Sequence, residues 1–243
     1  MVAVRARIEA ARSLFVLTGA GMSAESGIST FRDALRGLWS RFDPAQLASE
    51  EGFRDDPARV WDWYAERRID VGAALPNAGH LALGAFARCR PGVLTLVSQN
   101  VDDLHQRAGN TDTIRLHGDI LGDRWLEPCA RRPQCEARRA QPGRPPCCAD
   151  CGNQVRPDVV WFGEMLPAAA LQAAESAAGA CDVALIVGTS GAVWPAAGLA
   201  VTARRAGAFV TIVNPHDSEI DDQAHVVLRA TAAQALPALL ARS

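Results

Sequence analysis

The stretch that decides the fold runs from Ser13 through Leu-Phe-Val-Leu to Thr18 and on into Gly19-Ala20-Gly21-Met22-Ser23. A continuous apolar run ending on a glycine pair reads as a buried parallel strand that turns into a loop. Without Cβ atoms, backbone N–H groups can approach a phosphate, and the N-terminus of the next helix favours the anion. The third glycine comes at Gly27, too late for the dehydrogenase fingerprint. Taken alone, the loop also fits a plain strand-to-helix turn.

Six more apolar runs follow, at 93–98, 113–116, 159–162, 183–187, 209–213 and 225–228. Helical stretches alternate with them: 78–89 capped by Asn77, 167–180 from Pro167, 195–206 from Pro195, and 231–242. Strand–helix alternation predicts an α/β fold, a Rossmann-like doubly wound parallel sheet. Two stretches interrupt it. Residues 33–76 are aromatic and charged and predict a helical insertion. Residues 119–157 are rich in Arg, Pro and Cys, with too little apolar content for a core of their own, so a structural metal is the expected remedy. The expected organisation is therefore a nucleotide-binding domain from 1–32, 77–118 and 158–243, the helical insertion and cofactor loop at 33–76, and a small zinc-binding domain at 119–157.

Composition sets outer limits. The chain has 243 residues, 49% hydrophobic and 21% charged, which excludes collagenous, coiled-coil and disordered classes. Net charge is -2, so there is no strong nucleic-acid signal and no pull to an anionic membrane. No apolar run approaches the ~18 residues needed to span a bilayer, and the start lacks a signal core, so a cytoplasmic location is expected. Lys and Arg total 25, and every one is Arg; codon bias accounts for that.

Polar residues gather at strand ends, where open α/β sheets bind ligands. Gln99-Asn100-Val101-Asp102-Asp103 follows one strand, and His117 follows another in Arg115-Leu116-His117-Gly118. Five of the seven cysteines crowd into 129–151. Cys148 and Cys151 form a CxxC knuckle suited to Zn²⁺, with Cys129 and Cys135 as the partner pair. Spacing alone does not choose between Cys147 and Cys148, and a redox CxxC is the alternative.

Together, GAGMSAESGISTFR, QNVDDLHQRAG, RLHG, the paired cysteines, VVWFGE (159–164), VGTS (187–190) and VNP (213–215) resemble a sirtuin, in that family's order. The resemblance implies an NAD-dependent protein-lysine deacylase with NAD and one structural zinc ion, acting on acyl-lysine proteins. It implies that Gly19, Ala20, Gly21 and Ser23 line the NAD phosphates, and that Phe31 and Arg32 belong to the cofactor loop. Gln99, Asn100, Asp102 and Ile28 would surround the nicotinamide end, and Gly188, Thr189, Ser190 and Asn214 the adenosine end. His117 would be the general base, taking a ribose hydroxyl proton, with Asn100 and Asp102 beside it. Val160, Trp161, Phe162 and Gly163 would pair with the peptide and enclose the acyl-lysine. The products would be nicotinamide, free lysine and O-acyl-ADP-ribose.

Tyr64 and Arg67 sit three apart, on one helix face. This Tyr-x-x-Arg resembles the motif of the desuccinylase/demalonylase subgroup. A guanidinium fork and a phenol suit a terminal carboxylate, with roughly 1.5–3 kcal/mol in a charge-assisted hydrogen bond. An ordinary Arg-rich helix is the plainer reading of the same residues. After Arg32 the sequence Asp-Ala-Leu-Arg-Gly-Leu-Trp departs from the subgroup's glycine-rich loop. Rival functions are a plain deacetylase, a protein mono-ADP-ribosyltransferase using the same site, and a non-catalytic zinc module.

Overall fold

A computed structural model describes residues 1–28, 47–128 and 140–241. Helix α1 (Val2–Ala10) leads into β1 (Leu14–Thr18), whose five residues are all buried. Two short 3₁₀ turns carry the chain through Ala20–Met22 and Ala24–Ser26. Helices α2 (Glu50–Asp55) and α3 (Pro57–Ala73) follow, then α4 (Ala78–Cys89), β2 (Leu94–Ser98), the single turn α5 (Leu104–Arg107) and β3 (Ile114–Arg115). Strands β4 (Gly118–Trp125) and β5 (Val155–Val159) come next. The rest is α6 (Ala168–Ala180), β6 (Val183–Val187), α7 (Gly198–Arg205), β7 (Phe209–Val213), β8 (Val226–Leu228) and α8 (Ala232–Leu240).

Six strands form one parallel sheet in the order β3-β2-β1-β6-β7-β8. The order reverses between β1 and β6, the switch point of a doubly wound sheet. Side chains alternate across it. Leu14 and Val16 join a core with Val4 and Ile8 of α1, Leu83 of α4 and Leu236 of α8. Phe15 and Leu17 face the other way, into Ala174 and Ala178 of α6 and Leu199 and Ala200 of α7. Each fully buried large apolar side chain contributes roughly 1.5–3 kcal/mol.

The two interrupting stretches pack on each other. β4 and β5 pair antiparallel, and Ile120 and Val159 from this pair share a third core with Phe53, Val60, Trp63 and Tyr64 of α2 and α3. Both helices are capped: Ser49 accepts from Gly52 N–H, and Asp56 from Arg59 N–H ahead of Pro57 at the first turn.

Three elements differ from the sequence reading. The expected strand at 159–162 lies at Val155–Val159 and pairs with β4 rather than joining the main sheet. Arg156 and Pro157 disguise it, and a two-stranded sheet tolerates proline because one edge of each strand is unpaired. The pair begins at Gly118 and ends at Val159, just outside the expected 119–157. Helix α1 escaped notice because its contact with the core is only Val4 and Ile8. Helix α7 starts at Gly198, since two residues after Pro195 lie in turns. Among the described residues no helix is long and apolar enough to cross a membrane.

At the switch point the backbones of two loops touch. A Cβ on Gly21 would lie 2.8 Å from Gly188 Cα, and one on Gly188 (φ +61) would lie 2.5 Å from Met22 N. Gly188→Ala is therefore expected to cost roughly 3 kcal/mol of unfolding free energy, from left-handed strain plus backbone overlap. Gly207, also left-handed (φ +92) but with open space around it, should lose only about 1 kcal/mol as Ala. Equal losses for the two variants in urea denaturation contradict this packing.

Candidate functional site

Five strand ends converge on the crevice at the switch point. Gly19–Ser23 follows β1, Gln99–Asp102 follows β2, His117 follows β3, Gly188–Ser190 follows β6 and Asn214 follows β7. The facing loops are stitched by Gly19 N–H to Val187 O (2.9 Å) and Gly21 N–H to Gly188 O (2.8 Å). Among the described residues the amides of Ala20, Thr189 and Ser190 make no hydrogen bond. Free N–H donors above a floor with no room for Cβ atoms fit a phosphate chain. Asn214 Nδ2 donates to Thr189 O (2.8 Å) and Gln99 Nε2 to Thr189 Oγ1 (3.2 Å), tying three strand ends together.

A buried polar chain lies beside that floor. Asn100 Nδ2 donates to Ser23 Oγ (3.2 Å), and Ser23 Oγ donates to Asp102 Oδ2 (2.8 Å). Leu104 N–H donates to Asp102 Oδ1 (3.1 Å). Burial pushes the Asp102 carboxyl up, against the opposing pull of these two hydrogen bonds. Arg115 donates to Asp102 O at 2.6 Å and pairs with Asp119; the sequence reading passed over it as part of the RLHG motif. Ile28 is half-buried and packs against the third core.

His117 is half-buried, and its Nδ1 lies 2.7 Å from the Gln99 carbonyl oxygen. A carbonyl only accepts, so Nδ1 carries the proton and Nε2 is left with a lone pair. Burial holds this imidazole below its ordinary value, opposed by the Gln99 hydrogen bond. The arrangement is that of a neutral base at pH 7.

The expected peptide-facing stretch is largely engaged with the protein itself. Val160 N–H donates to His117 O, Phe162 N–H to Ala48 O, and Trp161 N–H to Glu164 Oε2. Of the four amides at 160–163 only that of Gly163 makes no bond among the described residues. Trp161 is buried, while Phe162 and Gly163 are exposed. Tyr64 is buried, its phenol pushed up to about 12 by burial, and its oxygen accepts from Trp161 Nε1 at 3.0 Å. Arg67 sits with its guanidinium 4.9 Å from the Trp63 ring centre. Burial lowers its pKa, opposed by Tyr64 and by the Asp70 carboxylate, and it makes no direct ion pair among the described residues.

Phe31, Arg32, Cys129 and Cys135 lie outside the described residues, as does the departure after Arg32. Cys148 is buried and Cys151 exposed. Gly152 N–H donates to Cys148 O (2.9 Å), closing a tight turn around the CxxC with Gly152 at φ +71. Among the described residues no three metal-binding side chains cluster.

One feature of this region was missed from sequence. His80 has no motif context and His105 reads only as a helix residue within QNVDDLHQRAG, yet their rings meet at 4.8 Å in the interior. His105 Nε2 lies 3.0 Å from Thr18 Oγ1, at the end of β1, and His80 Nδ1 accepts from Asn77 N–H. The available signal was Asn77-x-x-His80, a capping box. Burial drives both imidazoles down, His80 to about 4 and His105 to about 3.

The Sir2 family pattern matches residues 19–195. A protein of Ralstonia nicotianae named NAD-dependent protein deacylase is 54% identical over 237 residues, covering 98% of this chain and 94% of its own. A solved Sir2 homolog–NAD complex superposes with a TM-score of 0.87 at 38% identity, over 99% of this chain and 92% of that one. A Sir2 protein bound to a propionylated peptide gives 0.83 at 26% identity, over 99% and 97%.

The buried histidine pair sets a pH dependence. Below their ordinary pKa near 6.5 the unfolded chain binds protons that the folded one refuses, so stability rises with pH up to about 6.5 and is lost below it. Each histidine contributes a slope of up to about 1.4 kcal/mol per pH unit within its window. Denaturant titrations should show stability falling from pH 6.5 to 4.5, and less steeply in His105→Gln. A wild type with flat stability over that range contradicts the buried neutral pair.

Proposed function

The chain belongs to the Sir2 family, and from that membership we propose that it is an NAD-dependent protein-lysine deacylase acting at the switch-point crevice. The observation that carries the reading is His117, with Nδ1 held on the Gln99 carbonyl and Nε2 without a hydrogen bond among the described residues, beside the buried Ser23–Asn100–Asp102 chain. Gly19, Ala20, Gly21 and Ser23 would hold the NAD phosphates, with Phe31 and Arg32 closing over them. Gln99, Asn100, Asp102 and Ile28 would hold the nicotinamide end, and Gly188, Thr189, Ser190 and Asn214 the adenosine end. When bound, NAD would supply a ribose carbon made reactive by loss of nicotinamide, and with one water consumed the acyl group would pass to the sugar as the lysine amine is freed. His117 Nε2 takes the proton of a ribose hydroxyl, a role that its lowered pKa keeps open at neutral pH. Asp102 fixes Ser23, which fixes the Asn100 amide, so this chain acts by orientation.

For the acyl group we favour succinyl and malonyl, with weaker acetyl turnover. Arg68, next along α3, is occupied by Ile120 O, Gly122 O and Asp123. Arg67 has no such partner among the described residues, and the neutral Tyr64 hydroxyl lies on the same helix face. That contrast argues against an undifferentiated Arg-rich surface. Val160, Trp161, Phe162 and Gly163 would face the peptide, whose backbone then meets carbonyl oxygens and the Gly163 amide more than the engaged amides.

A structural zinc ion is proposed for Cys148, Cys151, Cys129 and Cys135. Support comes from the turn that starts at Cys148 and closes on Gly152, which favours Cys148 over Cys147. The ion would stiffen the small 119–157 module, leaving 33–76 as a helical insertion on the Rossmann-like domain. A reducing cytoplasm suits a cysteine cluster read as a metal site rather than as disulfides.

An acyl-peptide panel with NAD, read by mass spectrometry, tests the reading. Succinyl peptide should be the better substrate, and Arg67→Met should cut its kcat/KM by roughly tenfold to a hundredfold while sparing acetyl peptide. His117→Ala should lose deacylation with its circular dichroism unchanged. Undiminished turnover in His117→Ala, or equal acyl preference in wild type and Arg67→Met, contradicts the assigned roles.

A further inference from the structure

We propose that Trp161 is a specificity-determining positioning residue, whose indole N–H turns the Tyr64 hydroxyl proton toward the carboxylate of a succinyl or malonyl group. This rests on Tyr64 and Arg67 being the carboxylate receptor. Trp161 Nε1 donates to Tyr64 Oη at 3.0 Å, a contact buried on both sides. A phenol has one hydrogen and two in-plane positions for it. With the indole N–H on one side, the hydrogen lies on the other, and no acceptor among the described residues takes it. Tyr64 is neutral because burial lifts its pKa to about 12, so it remains a donor throughout the working pH range. An N–H to O–H to carboxylate chain also strengthens cooperatively in a low-dielectric site.

The indole also has two ring contacts. The guanidinium of Arg156 lies 3.3 Å from its ring centre, and Phe53 packs at 5.2 Å. Arg156 is buried, donates to Val159 O (2.7 Å) and is paired with Glu164. The Glu164 carboxylate also accepts from Trp161 N–H (2.8 Å) and from Arg124 (3.1 Å). Burial alone would raise the Glu164 pKa, but Arg156 and the Trp161 amide outweigh it and hold the group ionised. One carboxylate thus anchors both the main chain of Trp161 and the cation that stacks on its ring. Such a network around one indole is more than wall-building requires, since any aromatic ring would fill the same space.

Trp161→Phe keeps a ring between Arg156 and Phe53 and removes the N–H. The expected result is a succinyl-to-acetyl ratio of kcat/KM lowered roughly threefold to tenfold, mostly through KM for the succinyl peptide. In a Tyr64→Phe background the same change should leave the ratio where Tyr64→Phe put it, a coupling that a merely structural role would not produce. Benzothienylalanine at position 161, with sulfur in place of N–H, repeats the test if Trp161→Phe does not fold. A wild type without succinyl preference overturns the receptor reading and this inference together. A preserved receptor effect in Arg67→Met, combined with an unchanged ratio in Trp161→Phe or an equal fall in both backgrounds, overturns this inference alone.

Discussion

The whole site depends on one backbone contact. The loops leaving β1 and β6 meet glycine to glycine, with Gly21 and Gly188 too close for either to carry a Cβ. That approach brings the amides of Ala20, Thr189 and Ser190, unbonded among the described residues, to one floor, and the polar ends of β2, β3 and β7 are then arrayed around it. Strong central burial makes the contact affordable: β1 and β6 are entirely enclosed by helices on both faces. A parallel sheet supplies the scaffold, but its reversal of strand order between β1 and β6 makes the crevice.

The second organising element is the core shared by α2, α3 and the β4–β5 pair. It delivers Tyr64, Arg67 and Trp161 as one unit, next to the stretch that runs from β5 back to the main sheet. Val160 N–H on His117 O joins that unit to the histidine, so the proposed acyl recognition and proton transfer would share a main-chain link. The chain contains no lysine, which means every acyl-lysine it acts on belongs to another molecule. Its side-chain cations at neutral pH are guanidinium groups, able to stack on rings as Arg67 and Arg156 do and to fork onto carboxylates as Arg156 does on Glu164.

Much of this was readable in sequence, and the unread parts have physical reasons. The main-sheet strands β1, β2, β6, β7 and β8 were legible as continuous apolar runs, most plainly the central β1 and β6, where burial on both faces removes polar alternation. So were the strand-end polar residues, since their motifs follow those runs directly. β5 was misplaced because an arginine and a proline interrupt it, tolerated only in a two-stranded sheet. The His80–His105 contact joins separate segments, while Arg156, Trp161 and Glu164 are close in sequence but meet across a strand end and turn that no helix or strand period announces. Glu164 stood inside a quoted motif, yet only the folded chain brings its carboxylate to Arg156, Arg124 and the Trp161 amide at once.

The most direct test of the central claim is product stoichiometry. Purified protein with NAD and a succinyl-lysine peptide should yield nicotinamide, unmodified peptide and O-succinyl-ADP-ribose in equal amounts by mass spectrometry. Release of free succinate without NAD consumption, or ADP-ribose attached to protein in place of the acyl product, contradicts the account.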